Sequence, residues 1–105
     1  MTLTLRHQVL RHARALIAEP TRWTRGVLGR VASGRPVMWH DEEAYRWCAL
    51  GAIHRAAYVL VGDKERAEGI ADEVLAACFP SNLSWMNDKN GHLAVLKLFD
   101  DALAK

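Results

Sequence analysis

The chain has 105 residues, half of them hydrophobic and a quarter charged, with seven glycines and three prolines. That is one domain's length and an ordinary globular composition, which excludes collagen-like, low-complexity and wholly disordered chains. The net charge is only +2, yet it is unevenly laid down: residues 1–40 carry seven arginines against the single acid Glu19, a net of +6, and residues 41–105 carry seven Lys or Arg against eleven Asp or Glu, a net of −4.

The arginines are Arg6, Arg11, Arg14, Arg22, Arg25, Arg30 and Arg35. Such asymmetry points to an anionic partner, and arginine rather than lysine suits forked contacts to carboxylate or phosphate. The competing reading is that this basic stretch packs against the chain's own acidic helices.

No apolar run approaches the roughly 20 residues of a membrane span; the longest lies around Ala56–Val61. At the start, Arg6 and His7 arrive before any apolar stretch forms, so residues 1–7 do not read as a secretory signal. Cys48 and Cys78 fall on apolar helix faces and read as buried thiols rather than a disulfide, the usage of a cytoplasmic protein.

In chain order, Thr2 or Thr4 is positioned to cap a first helix that runs to about Glu19, where Pro20 stops it. Leu5, Val9, Leu10, Ala13, Leu16 and Ile17 recur at three and four residues and define its apolar face. Residues 20–40 are irregular, broken by Gly26, Gly29, Gly34, Pro20 and Pro36, with Val27, Leu28, Val31 and Val37 making a short helix or a weak hairpin. Trp23 and Trp39 are expected to anchor this stretch to the core. Asp41, followed by Glu42 and Glu43, reads as the N-cap of a central helix carrying Tyr45, Cys48, Ala49, Ala52, Ile53, Ala56, Val59 and Leu60 to Gly62. A third helix runs from its cap Asp63 to about Cys78; Phe79 to Asn90 read as a loop; a last helix carries Leu93, Leu96, Phe99, Ala102 and Leu103. The expected fold is an all-α single domain over residues 1–105: four helices with an irregular Arg/Gly/Trp segment between the first two.

Two stretches stand out together: Arg46-Trp47-Cys48-Ala49-Leu50-Gly51-Ala52-Ile53, and Asn87-Asp88-Lys89-Asn90-Gly91-His92 with the helix behind it. This Cys-x-x-Gly-Ala helix plus Asn-Asp-x-x-Gly-His helix start resembles an uncharacterised family of small helical bacterial proteins, also met in prophage and phage settings. The resemblance implies a compact helical domain and no particular activity.

Four groups of residues bear on function. Asn87, Asp88 and His92 read as the capped start of the last helix, or as a polar ligand pocket there with Cys48 and Trp85. Cys48 combined with His92 or His54 and Asn87 would resemble a cysteine nucleophile with its base, but the apolar neighbours of Cys48 argue against thiolate formation. Trp85 is expected in the core beside the last helix. No Cys-x-x-Cys, no His-x-x-x-His and no phosphate loop is present, so neither metal nor cofactor is assigned, nor any catalytic residue. Trp and Arg dominate binding hot spots, and Arg22, Trp23, Arg25, Arg30, Arg35 and Trp39 make the candidate partner surface. The expected function is non-catalytic binding of an acidic protein, of the phage or host-defence accessory type that the resemblance implies. The alternatives are a nucleic-acid binder using the same arginines, or small-ligand binding or hydrolysis at the Asn-Asp-His helix start. The Ala and Gly face of the central helix also suits a homodimer.

Overall fold

The computed structural model describes residues 4–105. Helix α1 (Leu5–Leu16) opens on Thr4, whose hydroxyl oxygen accepts the His7 amide at 3.2 Å, so Thr4 is the cap; Thr2 lies outside the described residues. The helix closes at Leu16, short of Glu19, and a single 3₁₀ turn (Pro20–Arg22) follows.

The arginine segment then forms a small sheet, not a purely irregular loop. Strands β1 (Gly29–Arg30) and β2 (Pro36–Val37) make the hairpin, and β3 (Arg46–Trp47) pairs with the other side of β1, giving the antiparallel order β2-β1-β3. The protein is therefore predominantly helical rather than strictly all-α, with five α-helices rather than four among the described residues.

β3 also corrects the start of the central helix. α2 spans Ala49–Val61, because residues 45–47 are spent on the sheet: the Tyr45 amide donates to the Arg30 carbonyl at 2.7 Å and Trp47 pairs with Gly29. Asp41 caps no helix; its carboxylate accepts the Glu43 amide in a tight turn. Cys48 is the actual N-cap, its Sγ accepting from the Gly51 amide.

α3 (Lys64–Cys78) matches its expected span, with the Asp63 carboxylate accepting the Arg66 amide. The stretch expected to be a loop before the last helix contains α4 (Leu83–Asn90), and α5 (His92–Leu103) follows across Gly91. Gly91 sits at φ +90°, a region that only glycine enters readily, and this bend separates the two helices.

The core lies where α1 and α3 pack on α2, with α5 set against α1 and α4. Val9, Leu10, Ala13 and Ile17 face Ala49, Ala52, Ile53, Ala56 and Ala57, with Ala67, Ala71, Val74, Val95 and Phe99 completing it. The alanines of α2 let α1 and α3 approach closely, as the sequence implies. Trp39 and Trp47 are buried at one end, with the Trp47 indole N–H donating to the Trp39 carbonyl at 3.1 Å. Two aromatic and aliphatic expectations fail: Trp85 is 57% exposed on α4 instead of sitting in the core, and Leu93 is 80% exposed, with Val95 taking its inward place.

Candidate functional site

The residues singled out in the sequence converge on residues 22–47, but not in the manner their spacing suggests. Asn87, fully buried, caps α2 rather than α5: its Oδ1 accepts from the Ala49 amide at 2.9 Å and from the Trp23 indole N–H at 2.8 Å. Its amide nitrogen donates to the Thr24 carbonyl and to Asp88 Oδ1, both at 3.1 Å. Two acceptor sites and two donors are all an asparagine side chain offers, so none is left over.

Asp88 continues the contact by accepting the Gly26 amide at 3.0 Å. His92 Nε2 lies 2.7 Å from the Ile17 carbonyl oxygen, which only accepts, so Nε2 carries the proton; the ring also rests 5.5 Å from that of Trp23. The first turn of α2 completes the fit. A Cβ on Gly51 would collide with the Leu28 carbonyl, so glycine there lets the 26–28 backbone lie on the helix. Together, the Cys-x-x-Gly turn and the Asn-Asp-x-x-Gly-His turn clasp residues 23–28 to the helical core.

A cavity of about 140 Å³ remains at this junction, lined by Gly26, Val27, Leu28, Cys48, Ser84, Asn87 and Asp88. It gathers three of the five residues expected for a pocket. Trp85 and His92 do not line it, since Trp85 points to solvent and His92 is held on Ile17. Burial pushes the Cys48 thiol above its ordinary value and the Asp88 carboxylate pushes the same way, against the lowering effect of amide hydrogen bonds from Gly51 and Leu50. The thiol is kept protonated, the opposite of what a nucleophile needs. Cys48 and Cys78 are free cysteines, and no group of three or more metal-ligating side chains occurs among the described residues.

The arginines of the clasped segment are held by backbone carbonyls and aromatic rings. Arg30 donates to Thr24 Oγ1, to the Gly34 carbonyl and to the Arg25 carbonyl, and so ties its own loop together. Arg22 donates to the Tyr45 carbonyl and stacks 4.0 Å above the Tyr45 ring; Arg25 lies 5.0 Å over Trp23. Arg55, from α2, donates to the carbonyls of Trp39 and Asp41. Ion pairs among the described residues join Arg14 to Asp100, Lys97 to Asp101 and, loosely at 3.9 Å, Arg35 to Glu43. Among the described residues, Arg22, Arg25, Arg30, Arg46 and Arg55 thus form no ion pair.

Next to these arginines, Val27, Leu28, Pro36, Val37 and Met38 line an open apolar groove of about 410 Å³, with Met38 51% exposed. Arg46 belongs to this face as well and was hidden from sequence reasoning, which put it inside a helix.

Fold and site together describe a small, mostly helical protein that displays an arginine-bearing mini-sheet on a helical core. The chain belongs to a family of unknown function (DUF6197), whose model matches residues 1–105. No curated protein and no solved structure matches it. Among the described residues, no helix is long and apolar enough to cross a membrane.

Proposed function

We propose that the protein acts by binding, and that its partner is an acidic protein segment docked on the face built from residues 22–47. The observation that carries this reading is the state of the arginines: Arg22, Arg25, Arg30 and Arg46 share one segment and, among the described residues, none of them forms an ion pair. Desolvated or crowded cations without counter-charge gain most from a carboxylate supplied from outside. The apolar groove beside them gives such a partner something to bury, the combination of arginine and apolar contact from which protein interfaces draw their affinity.

A protein fits this face better than a nucleic acid. Asp41, Glu42 and Glu43 form a turn within it, with Glu42 and Glu43 exposed, and would repel a continuous run of phosphates more than a partner that sets down a single carboxylate away from this turn. The protein's place on this reading is the cytoplasm, where both cysteines remain thiols, and its bacterial or prophage setting rests on the motif resemblance.

The charge-reversed pair Arg25→Glu with Arg35→Glu tests the assignment, because both side chains are exposed and neither ties the loop together as Arg30 does. Partner affinity is expected to fall at least tenfold at unchanged melting temperature. Unchanged affinity would contradict the assignment.

A further inference from the structure

The β2-β1-β3 register places Pro36, Arg30 and Arg46 in one row across the sheet, since Arg30 is opposite Pro36 on one side and Arg46 on the other. Directly opposed residues project from the same face, their Cβ atoms about 5 Å apart. The two arginine side chains therefore leave the sheet side by side from one face.

The two differ in how they are held. Arg30 spends three of its five N–H groups on Thr24, Gly34 and Arg25. Arg46 makes no side-chain hydrogen bond or ion pair among the described residues, and its Nε is buried without a partner. A guanidinium with one buried, unpartnered N–H is costly to hold, and a carboxylate on its accessible terminal nitrogens would offset that cost. Of the nearest acidic side chains in sequence, the Asp41 carboxylate takes the Glu43 amide, Glu43 faces Arg35 at 3.9 Å, and the exposed Glu42 forms no ion pair among the described residues.

Pro36, at the other end of the row, also lines the apolar groove with Val27, Leu28, Val37 and Met38. With strands about 4.8 Å apart, groove edge and Arg46 are separated by about 10 Å. We infer that Arg30 and Arg46 form a carboxylate clamp, which receives an Asp or Glu side chain of the partner while an apolar side chain about 10 Å away on the same partner enters the groove. This rests on the proposed function and narrows it to one residue pair and one peptide pattern. A single carboxylate suits the site better than a phosphate chain, because the groove continues the row with apolar rather than cationic surface.

The test is a titration of ¹⁵N-labelled protein with a capped hexapeptide of leucine and glutamate, followed through the arginine Nε–H signals and the backbone amides of Val37 and Met38. A single-stranded oligonucleotide is titrated in parallel. The clamp predicts that the peptide moves the Arg30 and Arg46 Nε–H signals together with those amides. Arg46→Lys, which keeps the charge but loses the fork, should weaken binding at least fivefold, whereas Arg6→Gln with Arg11→Gln should leave it unchanged. Amide shifts at Val37 and Met38 with both Nε–H signals still would overturn the clamp and leave the docking face standing. Peptide binding at neither place overturns both. Tighter binding of the oligonucleotide through the same arginines would replace the peptide carboxylate by phosphate and overturn the proposal.

Discussion

Asn87 on α4 accepts the Ala49 amide at the start of α2 at 2.9 Å, across 38 residues of chain. The same oxygen takes the Trp23 indole proton, so one buried side chain closes a helix end and fastens the segment that carries the arginines. Presentation of the basic face and stability of the core thus depend on one amide group.

Asn87→Ala is expected to be among the most damaging single changes. It leaves the Trp23 N–H, the Ala49 N–H and the Thr24 carbonyl without their side-chain partner, a loss of about 3 kcal/mol by urea unfolding. Asn87→Asp keeps the acceptor but sets a new carboxylate against Asp88 and the Thr24 carbonyl. Its loss should be relieved as pH falls, since protonation of the new carboxyl restores one donor. A pH-independent loss would show that this crowding of acceptors is not the cause.

Two glycine substitutions inside helices should have opposite signs. Gly51→Ala drives a methyl into the Leu28 carbonyl and is expected to cost about 1–3 kcal/mol as the 26–28 backbone is lifted. Gly69→Ala, in the exposed middle of α3 with nothing near its added Cβ, should gain about 0.5–1 kcal/mol. Thermal melts of the two variants check both, and equal signs would mean that the loop does not rest on α2.

Cys48 links stability to pH on the alkaline side. Burial raises its thiol, so the folded chain holds that proton more tightly than the unfolded chain does. The contribution is complete at neutral pH and is lost as pH climbs past the ordinary thiol value of 9.0. Cys48→Ser keeps an acceptor at the N-cap but does not titrate there. The urea midpoint of the natural protein is therefore expected to fall relative to that of the variant between pH 7.5 and 10; parallel curves would refute the buried-thiol assignment.

Trp85 is expected to be dispensable for folding. Being more than half exposed, it should tolerate Trp85→Ser with a change below about 0.5 kcal/mol. The variant should also lose the component of tryptophan fluorescence most readily quenched by acrylamide, whereas a large drop in stability would restore Trp85 to the core.

What the sequence makes legible, and what it hides, divides along the range of the interactions. α1 and α3 follow from signals within a few residues of each other: Thr4 and Asp63 at the caps, Pro20 and Pro80 a few residues beyond their ends, apolar side chains at helical spacing. Asp41-Glu42-Glu43 carries the same local signature and misleads, because pairing of Arg46 and Trp47 with strand β1 overrides it. α4 escapes notice because its polar run has no apolar period and is seated on the core through a buried asparagine. The charge asymmetry marks Arg22, Arg25, Arg30 and Arg35 at once. Arg46 emerges only once the strand register is seen. Asn87, Asp88 and His92 are recognisable as a group, but their partners Ala49, Gly26 and Ile17 lie 38, 62 and 75 residues away, beyond any local pattern.

The most direct measurement is capture of the tagged protein from its own cell lysate, with and without nuclease, alongside the Arg25→Glu/Arg35→Glu variant. The expected result is an acidic protein that survives nuclease, accompanies the natural chain and is absent from the variant. Capture of nucleic acid that disappears with nuclease, or of a protein that the variant retains equally, would contradict an acidic protein partner docked on the arginine face.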